Sequence, residues 1–155
     1  MKHRNVSRRD FIGGAGAGVI AVTLVGISPQ TAFADSKLVA AAIKKAIGDK
    51  APRQGKITLE TPQIAENGNT VPISVEVASP MTAGDHVKAV HLFADGNPAP
   101  NVATFHFTPA NGAAKASTRI RMAKTQNIVA VAEMSDGSVY QTQAAVKVTI
   151  GGCGG

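Results

Sequence analysis

From Lys56 to Ile150 the chain is built of short runs in which apolar and polar residues alternate. A period of two puts every second side chain on one face of a strand, and that limits the fold to sheets. Lys56-Ile57-Thr58-Leu59-Glu60 alternates. So do Val71, Ile73, Val75 and Val77, with polar residues between them. Val90, Leu92 and Ala94 alternate with Ala89, His91 and Phe93. Phe105 and Phe107 flank His106, and Ala116, Thr118, Ile120 and Met122 alternate with Ser117, Arg119 and Arg121. Asn127 to Met134 is nearly continuous in apolar residues, as expected of a strand at a sheet centre. Ser138 to Thr142 follows, and then Val146, Val148 and Ile150 alternate with Lys147 and Thr149. Turn signals separate these runs: Asn67-Gly68-Asn69, Ala83-Gly84-Asp85, Asp95-Gly96-Asn97-Pro98, Asn111-Gly112 and Asp136-Gly137. Short strands with one apolar face, joined by such turns, predict an all-β chain folded as an antiparallel β-sandwich. Pro72 lacks an N–H, so its strand is expected at a sheet edge or at a bulge.

The first third of the chain reads differently. Ser7-Arg8-Arg9-Asp10-Phe11-Ile12-Gly13 is a twin-arginine signal, with Arg8 and Arg9 as its recognition pair. A weakly apolar stretch rich in Gly and Ala follows, and Ala32-Phe33-Ala34 before Asp35 makes an A-x-A cleavage site. The stretch is too short and too rich in glycine to span about 30 Å of hydrocarbon securely. Residues 1–34 are therefore expected to be a signal peptide, residues 35–150 one domain, and residues 151–155 an arm. The mature protein is expected in the periplasm, exported already folded, with no membrane anchor. Asp35 to Gly48 has helical spacing, with Leu38, Val39, Ala42, Ile43, Ala46 and Ile47 on one side, so a short N-terminal helix precedes the strands.

Loss of the leader removes Lys2, Arg4, Arg8, Arg9 and Asp10, which lowers the formal charge from +6 to about +3. No cluster of Lys and Arg interleaved with aromatics remains, and that argues against a nucleic-acid partner. Catalytic patterns are missing as well: there is no G-x-S-x-G, no P-loop and no H-E-x-x-H. Glu60, Glu66, Glu76 and Glu133 fall on or beside different strands, at no spacing that predicts an acid–base pair. His86, His91 and His106 show no metal-ligand spacing, and the expectation is surface or interface histidines with no metal site.

The chemistry concentrates at the other end. The last five residues are Gly151-Gly152-Cys153-Gly154-Gly155, and Cys153 is the only cysteine. A lone cysteine in an exported chain cannot close an internal disulfide, so it points to an intermolecular bond or a reactive thiol. Gly151, Gly152, Gly154 and Gly155 carry no side chains to pack, and the expectation is a mobile tether. Counted from Ile150, the thiol could swing about 10 Å at roughly 3.3–3.6 Å per residue. No cation neighbours Cys153 in the sequence, so activation of the thiol would have to come from elsewhere.

Several segments together resemble the SoxY family, the sulfur carriers of thiosulfate-oxidising Sox systems. They are the twin-arginine leader, the stretch from Ala65 to Pro72, Ala94-Asp95-Gly96-Asn97-Pro98 leading to Phe105-His106-Phe107-Thr108-Pro109, the stretch from Met122 to Asn127, and the tail. The tail is the most specific of these. The resemblance implies an immunoglobulin-like sandwich, with Cys153 carrying sulfur intermediates covalently and no cofactor beyond that adduct. It also implies a SoxZ partner in a heterodimer. Three transient partners follow: a haem enzyme, SoxAX, that couples thiosulfate to the thiol; SoxB, which releases sulfate; and in some systems a sulfane dehydrogenase. Sulfur is named by the resemblance alone, whereas the residues themselves reach as far as a covalent carrier on an arm.

Three other readings make distinct expectations. A carrier using a Gly154-Gly155 thiocarboxylate would bear its adduct on the terminal carboxylate, and the leader argues against the cytoplasmic activation that it needs. A structural sandwich module would bear no adduct. An enzyme with Cys153 as nucleophile would need a base held at hydrogen-bond range. A partner subunit is also suggested by Ala89, Phe93, Ala130 and Ala132, read as outward residues that leave one strand face more apolar than a solvated sheet should be.

Overall fold

The computed structural model describes residues 36–152. The leader with Arg8 and Arg9, together with Cys153, Gly154 and Gly155, lies outside the described residues.

Helix α1 spans Ser36–Ile47 and ends where Gly48 takes φ of 70°, with the Gly48 N–H donating to the Lys44 carbonyl. Eight strands follow: β1 (Ile57–Glu60), β2 (Ile64–Asn67), β3 (Val71–Val77), β4 (Val87–Ala94), β5 (Asn101–His106), β6 (Ala114–Ile120), β7 (Gln126–Met134) and β8 (Val139–Ile150). A 3₁₀ turn at Pro109–Asn111 joins β5 to β6. The strands form two sheets, ordered β1-β3-β6 and β2-β8-β7-β4-β5. They face each other across a core of Val71, Ile73, Val75, Val90, Leu92, Ile128, Met122, Met134 and Val146. The expected all-β sandwich with a short N-terminal helix is the observed architecture, and β7 is its central strand between β8 and β4.

Four features differ from the sequence reading. The runs at 138–142 and 146–150 belong to one strand, β8, because β7 pairs with it without interruption from Glu133↔Val139 to Gln126↔Val146. The sandwich is not wholly antiparallel. After β1 the chain crosses between the sheets, and β2 runs parallel to β8 with Ile64 opposite Lys147 and Asn67 opposite Ile150. Pro72 lies in the central strand of its sheet and not in an edge strand. Strand β1 stops at Glu60 opposite Ser74, however, so β3 has lost that neighbour before it reaches Pro72, and a residue without an N–H is tolerated beside the open side.

The fourth difference concerns the apolar strand face. Ala130 and Ala132 point into the core, paired with Leu92 and Val90. Phe93 faces the other way and is fully buried, but by the chain's own helix: Val39 and Ile47 of α1 pack with Phe93, Val129, Val131 and Val139. The four residues therefore do not form an open docking face. Helical periodicity shows that α1 has an apolar side, but not which sheet it will cover.

Candidate functional site

Several chain segments that are distant in sequence meet at one end of the sandwich, where β8 and β2 finish and β3 and β7 begin. The centre of this end is the turn at residues 68–70. The Gly68 N–H donates to the Ile150 carbonyl at 2.7 Å, and the Gly68 carbonyl accepts the Met122 N–H at 2.8 Å. The Met122 carbonyl then accepts the Gly152 N–H at 2.9 Å. Three segments are laced together in this way: the β2–β3 turn, the β6–β7 connection and the end of β8.

The approach is too close for side chains. A Cβ on Gly152 would lie 2.7 Å from the Gly68 carbonyl oxygen and 3.0 Å from the Asn69 nitrogen. A Cβ on Gly68 would meet the Gly152 nitrogen at 2.7 Å and also the Met122 carbonyl oxygen, while one on Gly151 would run into the Ala123 carbonyl oxygen. All of these are backbone atoms, which cannot swing aside as a side-chain tip can. Gly152 is buried, whereas Ile150 is 66% exposed at the rim. Gly152 is tied to the Met122 carbonyl and Gly151 lies against the Ala123 backbone, while the rest of the expected arm, Cys153 to Gly155, lies outside the described residues. Glycine residues are read from sequence as flexibility, but they are equally the residues that let two backbones touch.

A polar network supports the β6–β7 connection. Asn97 is buried, and its Oδ1 accepts the Ala123 N–H at 3.0 Å and a Gln126 Nε2–H at 2.8 Å. Its Nδ2 donates to the Arg121 carbonyl at 2.8 Å. Gln126 Oε1 accepts the Gly96 N–H at 2.6 Å, and Asp95 accepts both the backbone N–H and the side-chain Nδ2–H of Asn127. Asn97 and Gln126 were missed as positioning residues by sequence reasoning. Their only signal was membership of the two segments at 95–98 and 122–127, whose partnership no spacing reveals. The same connection carries Arg121 and Lys124, so two cations belong to the strap that holds Gly152 although none is next to Cys153 in sequence.

The histidines separate. His106 is exposed and His86 half-buried. His91 is 8% exposed, which corrects the expectation of a surface position. Its Nε2–H donates to Glu133 Oε1 at 3.1 Å, and its Nδ1 lies 3.1 Å from Thr104 Oγ1. Lys50 Nζ approaches the other Glu133 oxygen at 3.5 Å. Burial works to raise the Glu133 pKa. The His91 hydrogen bond and the Lys50 charge outweigh it, and the carboxyl sits below its ordinary value. This cluster borders a cleft beside α1 lined by Ala42, Lys45, Ala46, Pro100, Asn101 and Thr104. Among the described residues no group of three or more His, Cys, Asp or Glu could hold a metal ion, and no helix is long and apolar enough to cross a membrane.

Comparison with known proteins bears on this end of the sandwich. The family model described as "Sulfur oxidation protein SoxY" matches residues 43–153. Among solved structures, the sulfur carrier protein SoxY from Chlorobium limicola f thiosulfatophilum is similar at 34% identity and a TM-score of 0.62, over 72% of this chain and 96% of that one. The superoxide reductase (neelaredoxin) from Ignicoccus hospitalis aligns at 15% identity and a TM-score of 0.54, over 61% and 80% of the two chains. A putative superoxide reductase from Thermotoga maritima aligns at 19% identity and a TM-score of 0.52, over 62% and 87%. The last two show a shared fold and nothing about chemistry. A search of curated proteins gave no match.

Proposed function

This chain belongs to the SoxY family, and from that premise we propose that it is a periplasmic sulfur carrier that bears thiosulfate-derived sulfur on Cys153 and presents it to partner enzymes. The family match carries the reading, since it extends through residue 153 and so includes the one cysteine. The chain itself supplies attachment and presentation, and redox and hydrolytic chemistry fall to the partners.

Loading joins the Cys153 sulfur to the outer sulfur of thiosulfate. The new S–S bond costs the thiol its proton and releases two electrons, which a haem partner of the SoxAX type accepts. Hydrolysis by a SoxB-type partner then cleaves the bond to the sulfonate group. Water supplies the oxygen of the departing sulfate, and a persulfide remains on Cys153. A sulfane dehydrogenase, in systems that contain one, oxidises that remaining sulfur. A SoxZ subunit is the expected stable partner. The twin-arginine leader supports export of the folded protein to the compartment where these partners would act.

The thiol is nucleophilic only as thiolate.

The test is intact mass of the purified protein before and after reduction, with peptide mapping of any added mass. Reducible sulfur on Cys153 is the expected result, together with complete loss of thiosulfate-dependent turnover in Cys153→Ser while its thermal midpoint is unchanged. Added mass on the terminal carboxylate, or retained turnover in Cys153→Ser, overturns the proposal.

A further inference from the structure

We propose that the cleft beside α1 binds a small organic oxyanion, a carboxylate or sulfonate head on a short apolar body, and that it does so when His91 is protonated. Binding there requires nothing of Cys153.

The cleft has a volume of about 430 Å³, within the range of small-molecule sites. It lies between Ala42, Lys45 and Ala46 of α1 and Pro100, Asn101 and Thr104 on the far side, with His91 between them. Ala42, Ala46 and Pro100 give it apolar walls. Its polar groups are those of Lys45, Asn101, Thr104 and His91. Lys44 is paired with Asp49 and Lys50 with Glu133, whereas Lys45 makes no ion pair among the described residues.

A chain of hydrogen bonds stands behind this lining. Thr104 lies directly across from His91 on β5, and Glu133 reaches His91 from β7. Burial opposes ionisation of Glu133, but the His91 hydrogen bond and the Lys50 charge outweigh it, so Glu133 is a carboxylate throughout the range in which an imidazole titrates. A carboxylate only accepts, and the Nε2 bonded to it therefore carries a proton in either state of the ring. The change falls on Nδ1. In the neutral ring Nδ1 is an acceptor, and Thr104 donates its one O–H to it at 3.1 Å. The hydroxyl then offers the cleft only lone pairs, which repel an oxyanion. In the cationic ring Nδ1–H donates to Thr104 Oγ1, and the hydroxyl proton turns outward. One proton on His91 thus converts Thr104 from acceptor to donor.

The charges around His91 act in the same direction. Lys50, from the connector after α1, and Glu133, from β7, offset each other. Lys45, from α1, is then the net charge beside the neutral ring, and protonation adds a second. His106, exposed on the same face of β5, contributes further positive charge when it is protonated. An oxyanion in the cleft meets the Lys45 ammonium and the Thr104 O–H, while its apolar body lies against the alanines and Pro100.

The test uses 1-propanesulfonate, whose charge does not change across the range in which histidine titrates. In the ¹⁵N-labelled chain it should shift the amides of residues 42–46 and 100–104 saturably, with affinity about tenfold higher at pH ~5.5 than at pH ~7.5. The bound probe should also raise the midpoint of the His91 ring ¹⁵N titration, because binding and protonation favour each other reciprocally. Lys45 and Thr104 are exposed, so substitutions there leave the core intact. Lys45→Met should weaken binding at both pH values. Thr104→Val should weaken it at the acidic value alone, and Thr104→Ser should restore it. No saturable shift in these segments, equal affinity at the two pH values, an unmoved His91 midpoint, or an equal loss at both pH values in Thr104→Val overturns the proposal.

Discussion

Gln126 donates a side-chain N–H to Oδ1 of Asn97 at 2.8 Å, and the same oxygen accepts the Ala123 N–H. These residues are 29 positions apart, on the β4–β5 loop and at the start of β7. Their bond joins the two loops that support Met122, the residue to which Gly152 is tied.

Asn97→Ala should therefore destabilise the domain by about 2–3 kcal/mol. It leaves the Ala123 N–H and the Arg121 carbonyl without their partner at a part-buried site. Urea unfolding followed by circular dichroism measures this. Exchange at Gly152 should rise in the same variant, since the strap that receives its amide loses its support. A stability loss with Gly152 exchange unchanged would show that the network does not support the Gly152–Met122 bond.

Glu133 links stability to acid. Its pKa in the folded protein lies below the ordinary 4.5, held down by His91 and Lys50 against the opposing effect of burial. A carboxyl with a depressed folded-state pKa binds its proton more weakly folded than unfolded. Its contribution is complete above about pH 4.5 and is lost as the pH falls through the folded value. Glu133→Gln should lower stability at neutral pH and show a shallower decline below about pH 4.5 than the parent. Parallel stability curves for the two proteins through that window would show that the ion pair contributes nothing.

Phe93→Ala should cost about 3–5 kcal/mol, the range for a large aromatic removed from a packed site. Phe93, on β4, is fully buried beneath α1. The helix should also become the first site of limited proteolysis. Leu38 lies on α1 as well but is exposed, and Leu38→Asn should change stability by no more than about 0.5 kcal/mol. Equal effects of the two substitutions would mean that α1 is not docked through Phe93.

Aged protein should contain a reducible dimer. Cys153 is the only cysteine, so any disulfide between two chains must run through it. Non-reducing electrophoresis should show the dimer in the parent and none in Cys153→Ser. A dimer that persists in Cys153→Ser under non-reducing conditions would point to a contact other than the thiol.

The strands from β3 to β7 were legible because alternation is a local property. Val71, Ile73, Val75 and Val77 announce a one-sided strand without reference to any neighbour, and the apolar run at 127–134 announces a two-sided one. Strand β2 was not legible. Ile64–Asn67 is too short for a pattern, and it exists as a strand because β8 offers a parallel edge beside it. The break expected after Thr142 vanished for the same kind of reason, since β7 holds β8 straight across it.

By itself the sequence determined the sandwich class, the position of α1, the single cysteine and the resemblance to the SoxY family. Each of these is written in residues close together or in one segment's own pattern. Only the tertiary structure decided that Phe93 is capped by α1, that His91 is buried against Glu133, and that Gly152 is bonded to Met122. Those facts depend on which backbones come within hydrogen-bonding distance. A glycine pair looks the same in sequence whether it frees a chain or lets Gly68 and Gly152 touch.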